Sequence, residues 1–387
     1  RSYLLSTQIS MMTIPTIECK LVTAINGFAF QVFSQLWEHG ENRNLFISPL
    51  SLSIAMALLH NGADGSTKQE LAQLLGIQDI EPDRVNTAYA ALIDGLEQRS
   101  HHLSHLDIAN SLWARQGLTF KSEFRQSSQN FYSTEVFNLD FANSDNLSVI
   151  NGWIDRQTNG KIKEIVSLGD LNANTILILL NAIYFRGVWK QQFNKADTKE
   201  SPFILSDRKS KLHPMMSQSG TYDYFQNQDF QAIALPYSES DINTIVFLPD
   251  DRNSLTDFLH RLNFEKFREW RSQFLRMQGD LILPRFTIEY EESLMDVFKT
   301  LGLEIALSVS ANYQKIANES IAISDIMHKA LIEVNEEGTE ASAATGVMMQ
   351  RSLRQKFSMV VNRPFCCVIQ DDQTGVILFM GAVWEPN

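Results

Sequence analysis

Cysteine is scarce: the 387 residues contain three. Cys19 stands alone and Cys366 adjoins Cys367, and neighbouring cysteines bridge only with strain, so a disulfide framework is excluded. No apolar run reaches the roughly 20 residues of a membrane-spanning helix. The longest, TILILLNAIYF at 175–185, is interrupted by Asn181. The opening RSYLLSTQISMMTIPTIEC holds no continuous apolar stretch of the kind a secretory signal carries. Two sequons, at Asn146 and Asn318, arise by chance in chains this long, so extracellular and intracellular addresses are equally open. Basic charge is short too. Lys and Arg number 33 against 45 Asp and Glu, a net charge of −12 that repels phosphate backbones and anionic membranes. Neither nucleic acid nor membrane is an expected partner.

Catalytic signatures are also missing. The chain has no Gly-x-Ser-x-Gly elbow, no phosphate-cradling glycine loop, no His-Glu-x-x-His and no CxxC. With no nucleophile and base in view, the expectation is a protein that is not an enzyme and uses no cofactor and no metal. His101 and His105 have the i, i+4 spacing of helical metal ligands, but no third ligand accompanies them and their neighbours are polar. A solvated surface segment is the simpler reading. Lys266, Arg268, Arg271 and Arg276 interleave with Phe267, Trp270 and Phe274, which reads as a solvated helix face rather than an anion or glycan site.

What is present is a core-forming pattern, with hydrophobic residues at 44%. Apolar residues recur at helical spacing from Leu21 to Leu36, with Gly40 as the stop. Ser48-Pro49 caps a second helix that runs to Gly62 and is apolar nearly all round, hence central. Thr67 to Glu70 reads as a capping box opening a helix that closes at Gly76, and 82–96 as another. After Leu106 the period changes to strands, at 106–114, 175–186, 230–237, 242–248, 279–290, 321–335, 358–370 and 374–384, with helical patterns at 144–158, 254–273 and 291–302 between them. No repeat, linker or composition break marks a boundary. One mixed α+β domain over 21–387 is expected, residues 1–20 being an extension of unknown role.

Two features stand out from that pattern. Residues 336–350, EEGTEASAATGVMMQ, join two strands through a loop too long for an ordinary compact-domain connection. As a strand, this segment would carry Thr339, Ala341, Ala343 and Thr345 on one face, all small, so it could slide into a packed sheet. Second, Asn181 lies inside an apolar run, and His328 shares a strand face with Ile326, Ala330, Ile332 and Val334. A buried amide and a buried imidazole each need partners, and the hydroxyls of Ser48 and Ser51 beside the central helix are the nearest candidates.

FISPLS at 46–51, NAIYFRGVW at 181–189, HKA at 328–330, NEEGTEA at 335–341, NRPF at 362–365 and FMG at 379–381 occur in the order and at about the spacing of the serpin family. The sequence resembles that family from Leu21 to its last residue. The resemblance implies a domain of three β-sheets and about nine helices with an exposed reactive-centre loop, about 337–357, that serves as bait for a protease. It implies a suicide-substrate inhibitor: a serine protease attacks the bait bond, and the cleaved loop inserts into the main sheet before the acyl-enzyme hydrolyses. A covalent 1:1 complex with a trypsin-like or elastase-like serine protease is then expected, a cysteine protease being a further candidate, with the inhibitor a monomer. The alternative is a non-inhibitory member acting as carrier or chaperone. Such members tend to carry bulky, charged or proline residues in the hinge, unlike the small residues here.

By the same resemblance, Glu336, Gly338, Thr339, Ala341, Ala343 and Thr345 form the hinge. Ser48, Ser51, Asn181 and His328 form the shutter under the opening sheet. Trp189, Arg285 and Glu336 form the breach, with Arg285 and Glu336 as an ion pair. For the bait bond, the family's spacing counted from Glu336 reaches Ser352–Leu353, suited to elastase-like pockets. Chemistry favours Arg351–Ser352, which would offer a guanidinium to a trypsin-like pocket. Both bonds remain open.

Overall fold

The computed structural model describes residues 16–40, 42–100, 103–339 and 356–387. Among them are nine α-helices: α1 (Thr16–His39), α2 (Pro49–Gly62), α3 (Gly65–Leu75), α4 (Pro82–Gln98), α5 (Ser122–Tyr132), α6 (Leu147–Gln157), α7 (Leu255–Arg261), α8 (Phe264–Arg271) and α9 (Met295–Thr300). The strands are β1 (Leu45–Ile47), β2 (Ser104–Arg115), β3 (Glu135–Leu139), β4 (Leu177–Val188), β5 (Lys199–Ile204), β6 (Ser210–Gln226), β7 (Phe230–Pro236), β8 (Ile242–Pro249), β9 (Leu275–Pro284), β10 (Phe286–Ser293), β11 (Ile323–Val334), β12 (Gly338–Thr339), β13 (Phe357–Val360), β14 (Phe365–Asp371) and β15 (Ile377–Val383). The fold is α+β. No described helix is long and apolar enough to cross a membrane.

One sheet has six strands in the order β10-β11-β4-β2-β3, with β12 beside the end of β4. The rest form a nine-stranded network joined through the long β6, which pairs with β5 and β9 and, at its C-terminal end, with β7. The three expected sheets are thus the six-stranded sheet, the run β1-β15-β14-β8-β7, and the group of β5, β6, β9 and β13.

The two central strands of the six-stranded sheet are buried on both faces, which is why β4 and β11 read as continuous apolar runs rather than alternating ones. Leu177, Leu179, Ile183 and Phe185 point into the main core with α2. Ile178, Leu180, Ala182 and Tyr184 face the opposite way, under Ile150, Trp153 and Ile154 of α6 and Ile162, Ile165 and Val166 after it. Helix α2 begins as expected: Ser48 Oγ accepts from the Ser51 amide at 3.3 Å and Pro49 takes the first helical position, where no amide donor is needed.

Several expected boundaries fall elsewhere. The first helix begins at Thr16, not Leu21. The Thr67–Glu70 box does not cap α3, whose cap is Asp64. Thr67 Oγ1 instead accepts from Asn312 N at 2.8 Å, and the Glu70 carboxylate accepts the amides of Ile305 and Ala306, tying a distant loop to the helix. The expected strand at 279–290 is two, divided at Arg285 between different sheets. The expected helix at 254–273 is also two, because Asn263 caps a new start by accepting from Lys266 N at 2.9 Å. Within 291–302 only Met295–Thr300 is helical, since the start of that stretch still belongs to β10.

Candidate functional site

The centre of the six-stranded sheet is a seam between two parallel strands. β11 and β4 pair from Ile323↔Leu177 to Leu331↔Tyr184, with His328 directly opposite Asn181. Both side chains are fully buried. The Asn181 oxygen accepts from His328 Nδ1, and its amide donates to Ser51 Oγ and to Asn110 Oδ1. His328 Nε2 accepts the Ser48 backbone amide at 3.3 Å, so the ring is neutral with its proton on Nδ1. Burial alone lowers its pKa to about 3. Four elements therefore meet in one uncharged network: α2 and its cap, β2, β4 and β11. Asn110 lies opposite Asn181 on β2, and its own amide nitrogen is buried without a partner among the described residues.

Above Tyr184 the seam is already open. β11 turns back through Asn335–Gly338, and β12 pairs antiparallel with the end of β4, Gly338 against Val188 and Thr339 against Gly187. Trp189 N donates to Glu337 O at 3.0 Å and Phe193 N to Glu336 O at 2.8 Å, while Trp189 Nε1 holds the Asn335 carbonyl at 3.0 Å. The Trp189 ring stacks on Tyr237 at 4.5 Å. Gly338 has φ 141, and a Cβ there would meet the Gly187 carbonyl oxygen at 2.1 Å, so no side chain fits this close approach. The Glu336 side chain is 2% exposed and pairs with Arg285, the residue that divides β9 from β10; Thr198 Oγ1 donates to it at 2.7 Å. Burial works against its ionisation, but the Arg285 and Thr198 donors outweigh that and lower its pKa.

The structure thus brings Ser48, Ser51, Asn181 and His328 into one cluster within the paired segment and Trp189, Arg285, Glu336 and Gly338 into a second, beyond its Tyr184 end. Of Thr339 only the backbone pairing is described; Ala341, Ala343, Thr345, Arg351, Ser352 and Leu353 lie outside the described residues. Sequence reasoning missed Asn110, Thr198 and Tyr237. Asn110 carried a usable signal, a lone amide among Ile108, Leu112 and Ala114. His105 is on β2, hydrogen-bonded to Ser100 Oγ at 2.8 Å and Asp107 at 2.7 Å, so helical ligand spacing does not apply; His101 lies outside the described residues. In the basic stripe Lys266 pairs with Glu269, Arg271 with Asp372 and Arg276 with Asp223, and Arg268 lies over the Phe264 ring.

The family model for serpins, serine protease inhibitors, matches residues 23–386. The chain belongs to the serpin family. Chicken (Gallus gallus) neuroserpin is 33% identical over 375 residues, covering 94% of this serpin and 91% of the relative. Bovine (Bos taurus) leukocyte elastase inhibitor is 33% identical over 379 residues, covering 95% and 100%. The crystal structure of human thyroxine-binding globulin with thyroxine superposes with a TM-score of 0.89 at 26% identity, covering 96% of this serpin and all of that chain. In the first cluster both ring nitrogens of His328 are taken, by the Asn181 oxygen and the Ser48 backbone amide. The bonds of the first cluster cross the β4–β11 seam, and those of the second tie the Asn335–Gly338 turn to the end of β4.

Proposed function

We propose that this serpin is a suicide-substrate inhibitor of serine proteases that inserts its cleaved loop between β4 and β11. The observation that supports it most is the register of β12. Continued antiparallel from Thr339 opposite Gly187, the pairing sets Ala341 opposite Phe185, Ala343 opposite Ile183 and Thr345 opposite Asn181. Those β4 residues face the main core and α2, and a strand pressed against a packed core must present small side chains there. The same register brings Arg351 opposite Thr175 and Ser352 opposite Asn174, just before β4 begins. At about 3.4 Å per residue, an inserted strand from Gly338 to Arg351 would carry the bait bond about 44 Å, the full length of the sheet.

The chemistry belongs to the protease. Its serine oxygen attacks the carbonyl carbon of Arg351 or Ser352, the C–N bond breaks, and the amine of Ser352 or Leu353 leaves as a new N-terminus. The chain ending at the attacked residue stays as an ester. Release of that ester by water depends on the protease's oxyanion donors and triad geometry, which insertion pulls out of alignment. An elastase-like target is supported by the name of the bovine relative, and a trypsin-like one by Arg351. A cysteine protease would form a thioester by the same route. The complex is covalent and 1:1, between one protease and one monomeric serpin.

Clean nicking between Gln350 and Arg354 tests insertion itself. A new strand adds ladder hydrogen bonds and buries apolar area, so the melting temperature should rise by tens of degrees. A nicked chain that melts at or below the intact one contradicts the proposal.

A further inference from the structure

A cavity of about 140 Å³ lies where the end of α4, the start of β2, the turn between β7 and β8 and the end of β14 meet. Ser104 and Leu106, two residues apart and so on one face of β2, both line it. Ser104 is 2% exposed, and its hydroxyl has no hydrogen-bond partner among the described residues. Two further serines of the lining are engaged. Ser100 Oγ bonds His105 Nδ1 at 2.8 Å, and Ser240 Oγ accepts the Ile242 amide at 3.3 Å. A buried hydroxyl left idle beside an open volume points to an occupant that completes it.

The rest of the lining sets the chemistry of that occupant. Arg99 donates to Asp371 at 2.7 Å, and Thr374 Oγ1 donates to the same carboxylate oxygen at 2.6 Å, so the guanidinium in the wall is already neutralised. Glu239 and Asp241 are exposed at the mouth, and no hydrogen bond or ion pair holds either carboxylate among the described residues. An anion is therefore repelled there and a cation attracted. Leu96, Leu106 and Ile242 supply an apolar stretch of wall. No cluster of His, Cys, Asp and Glu among the described residues could hold a metal ion.

We propose that this cavity binds a small amino alcohol. Its ammonium stands at the mouth beside Glu239 and Asp241, its aliphatic stem lies against Leu96, Leu106 and Ile242, and its hydroxyl bonds Ser104 Oγ. A cavity of this volume takes a ligand of about six heavy atoms, which a four-carbon amino alcohol matches. The charged end stays at the wet rim and the neutral end goes under cover, so no unpaired charge is buried. Binding requires no loop cleavage, and the intact chain serves for the test.

Ligand-observed NMR titration with 4-amino-1-butanol is compared with butylamine, which lacks the hydroxyl, and with 1,4-butanediol, which lacks the charge. The amino alcohol should bind about fivefold more tightly than either. Ser104→Ala removes a group that has no partner, so it should leave thermal unfolding unchanged while bringing the amino alcohol down to the affinity of butylamine. Glu239→Gln with Asp241→Asn should weaken both amines several-fold and leave the diol as it was. Equal affinity for 4-amino-1-butanol and butylamine overturns the proposal. So does an amino alcohol affinity untouched by Ser104→Ala or by the double carboxylate variant, or no saturable binding of 4-amino-1-butanol at tens of millimolar.

Discussion

His328 donates from Nδ1 to the side-chain oxygen of Asn181 across the seam between β11 and β4. Any strand entering between those two must break this bond and the ladder around it. Replacing His328 with Ala leaves the Asn181 side-chain oxygen and the Ser48 amide without their partner in a fully buried site and opens a cavity, a combined cost of about 3 kcal/mol. His328→Ala should therefore shift urea unfolding by that amount and self-associate faster on mild warming, read by size-exclusion chromatography. Unchanged self-association would separate the cluster from sheet opening.

Stability should fall with acid below pH 6.5. Burial lowers the pKa of His328 to about 3 and, with the charges of Lys68 and Lys315, that of His60 to about 4. Between those values and the unfolded value of 6.5, the unfolded chain binds more protons than the native one. The stabilisation is complete above pH 6.5 and is lost as pH falls, each histidine contributing a slope of about 1.4 kcal/mol per pH unit. Guanidinium unfolding from pH 7.5 to 4.5 measures it. His328→Gln should flatten the slope by about half, and an unaltered slope would exclude His328 as a source.

The Arg285–Glu336 pair predicts a non-additive cycle. Arg285 is 47% exposed while the Glu336 side chain is 2% exposed, so the carboxylate depends on the partner more than the guanidinium does. Arg285→Ala should cost about 1–2 kcal/mol by stranding a buried charge, and adding Glu336→Gln should recover part of it. Additive losses in thermal unfolding would show that the charge is not stranded.

Lys161 ties down the cover of the seam. Its ammonium lies 3.4 Å from Glu333 on β11 and 5.5 Å above the ring of Tyr184 on β4, spanning the point where the two strands cease to pair. Both partners of the ion pair are partly exposed, so Lys161→Ala should change equilibrium stability by less than about 1 kcal/mol. It should nevertheless let the nicked loop enter several-fold faster, followed as the rise of the heat-stable form. Equal rates in both chains would remove Lys161 from the path of insertion.

How much of this was legible depended on the local signal. The cap at Ser48-Pro49, the apolar run of α2 and the two-residue period around His328 each matched the residue's final environment. Asn181 and His328 could be linked before the fold was known because a buried polar side chain has few places to find a partner. β6 was not legible: its 17 residues include Lys, His, Pro and several Ser and Gln, because much of the strand is only half buried. The split at Arg285 also carried no mark, since two strands in different sheets joined by one residue look like a single run. Thr67 and Glu70 had the right residues for a capping box and used them on a distant loop instead.

Thr345→Arg tests the register carried on from β12. A guanidinium opposite Asn181 would enter the neutral cluster at a cost of several kcal/mol, stalling insertion while leaving loop cleavage intact. The variant should behave as a substrate, with the number of serpins consumed per protease inhibited rising several-fold. An unchanged stoichiometry would show that Thr345 does not face α2.

The most direct measurement mixes the intact chain with trypsin and with an elastase in near-equal amounts and resolves the products on a denaturing gel, with mass spectrometry of the released C-terminal peptide. Trapping predicts a band at the combined mass that survives boiling in detergent, and a peptide that begins at Ser352 for a trypsin-like target or at Leu353 for an elastase-like one. Cleaved chain beside fully active protease, for every serine protease tried, would contradict inhibition by loop insertion.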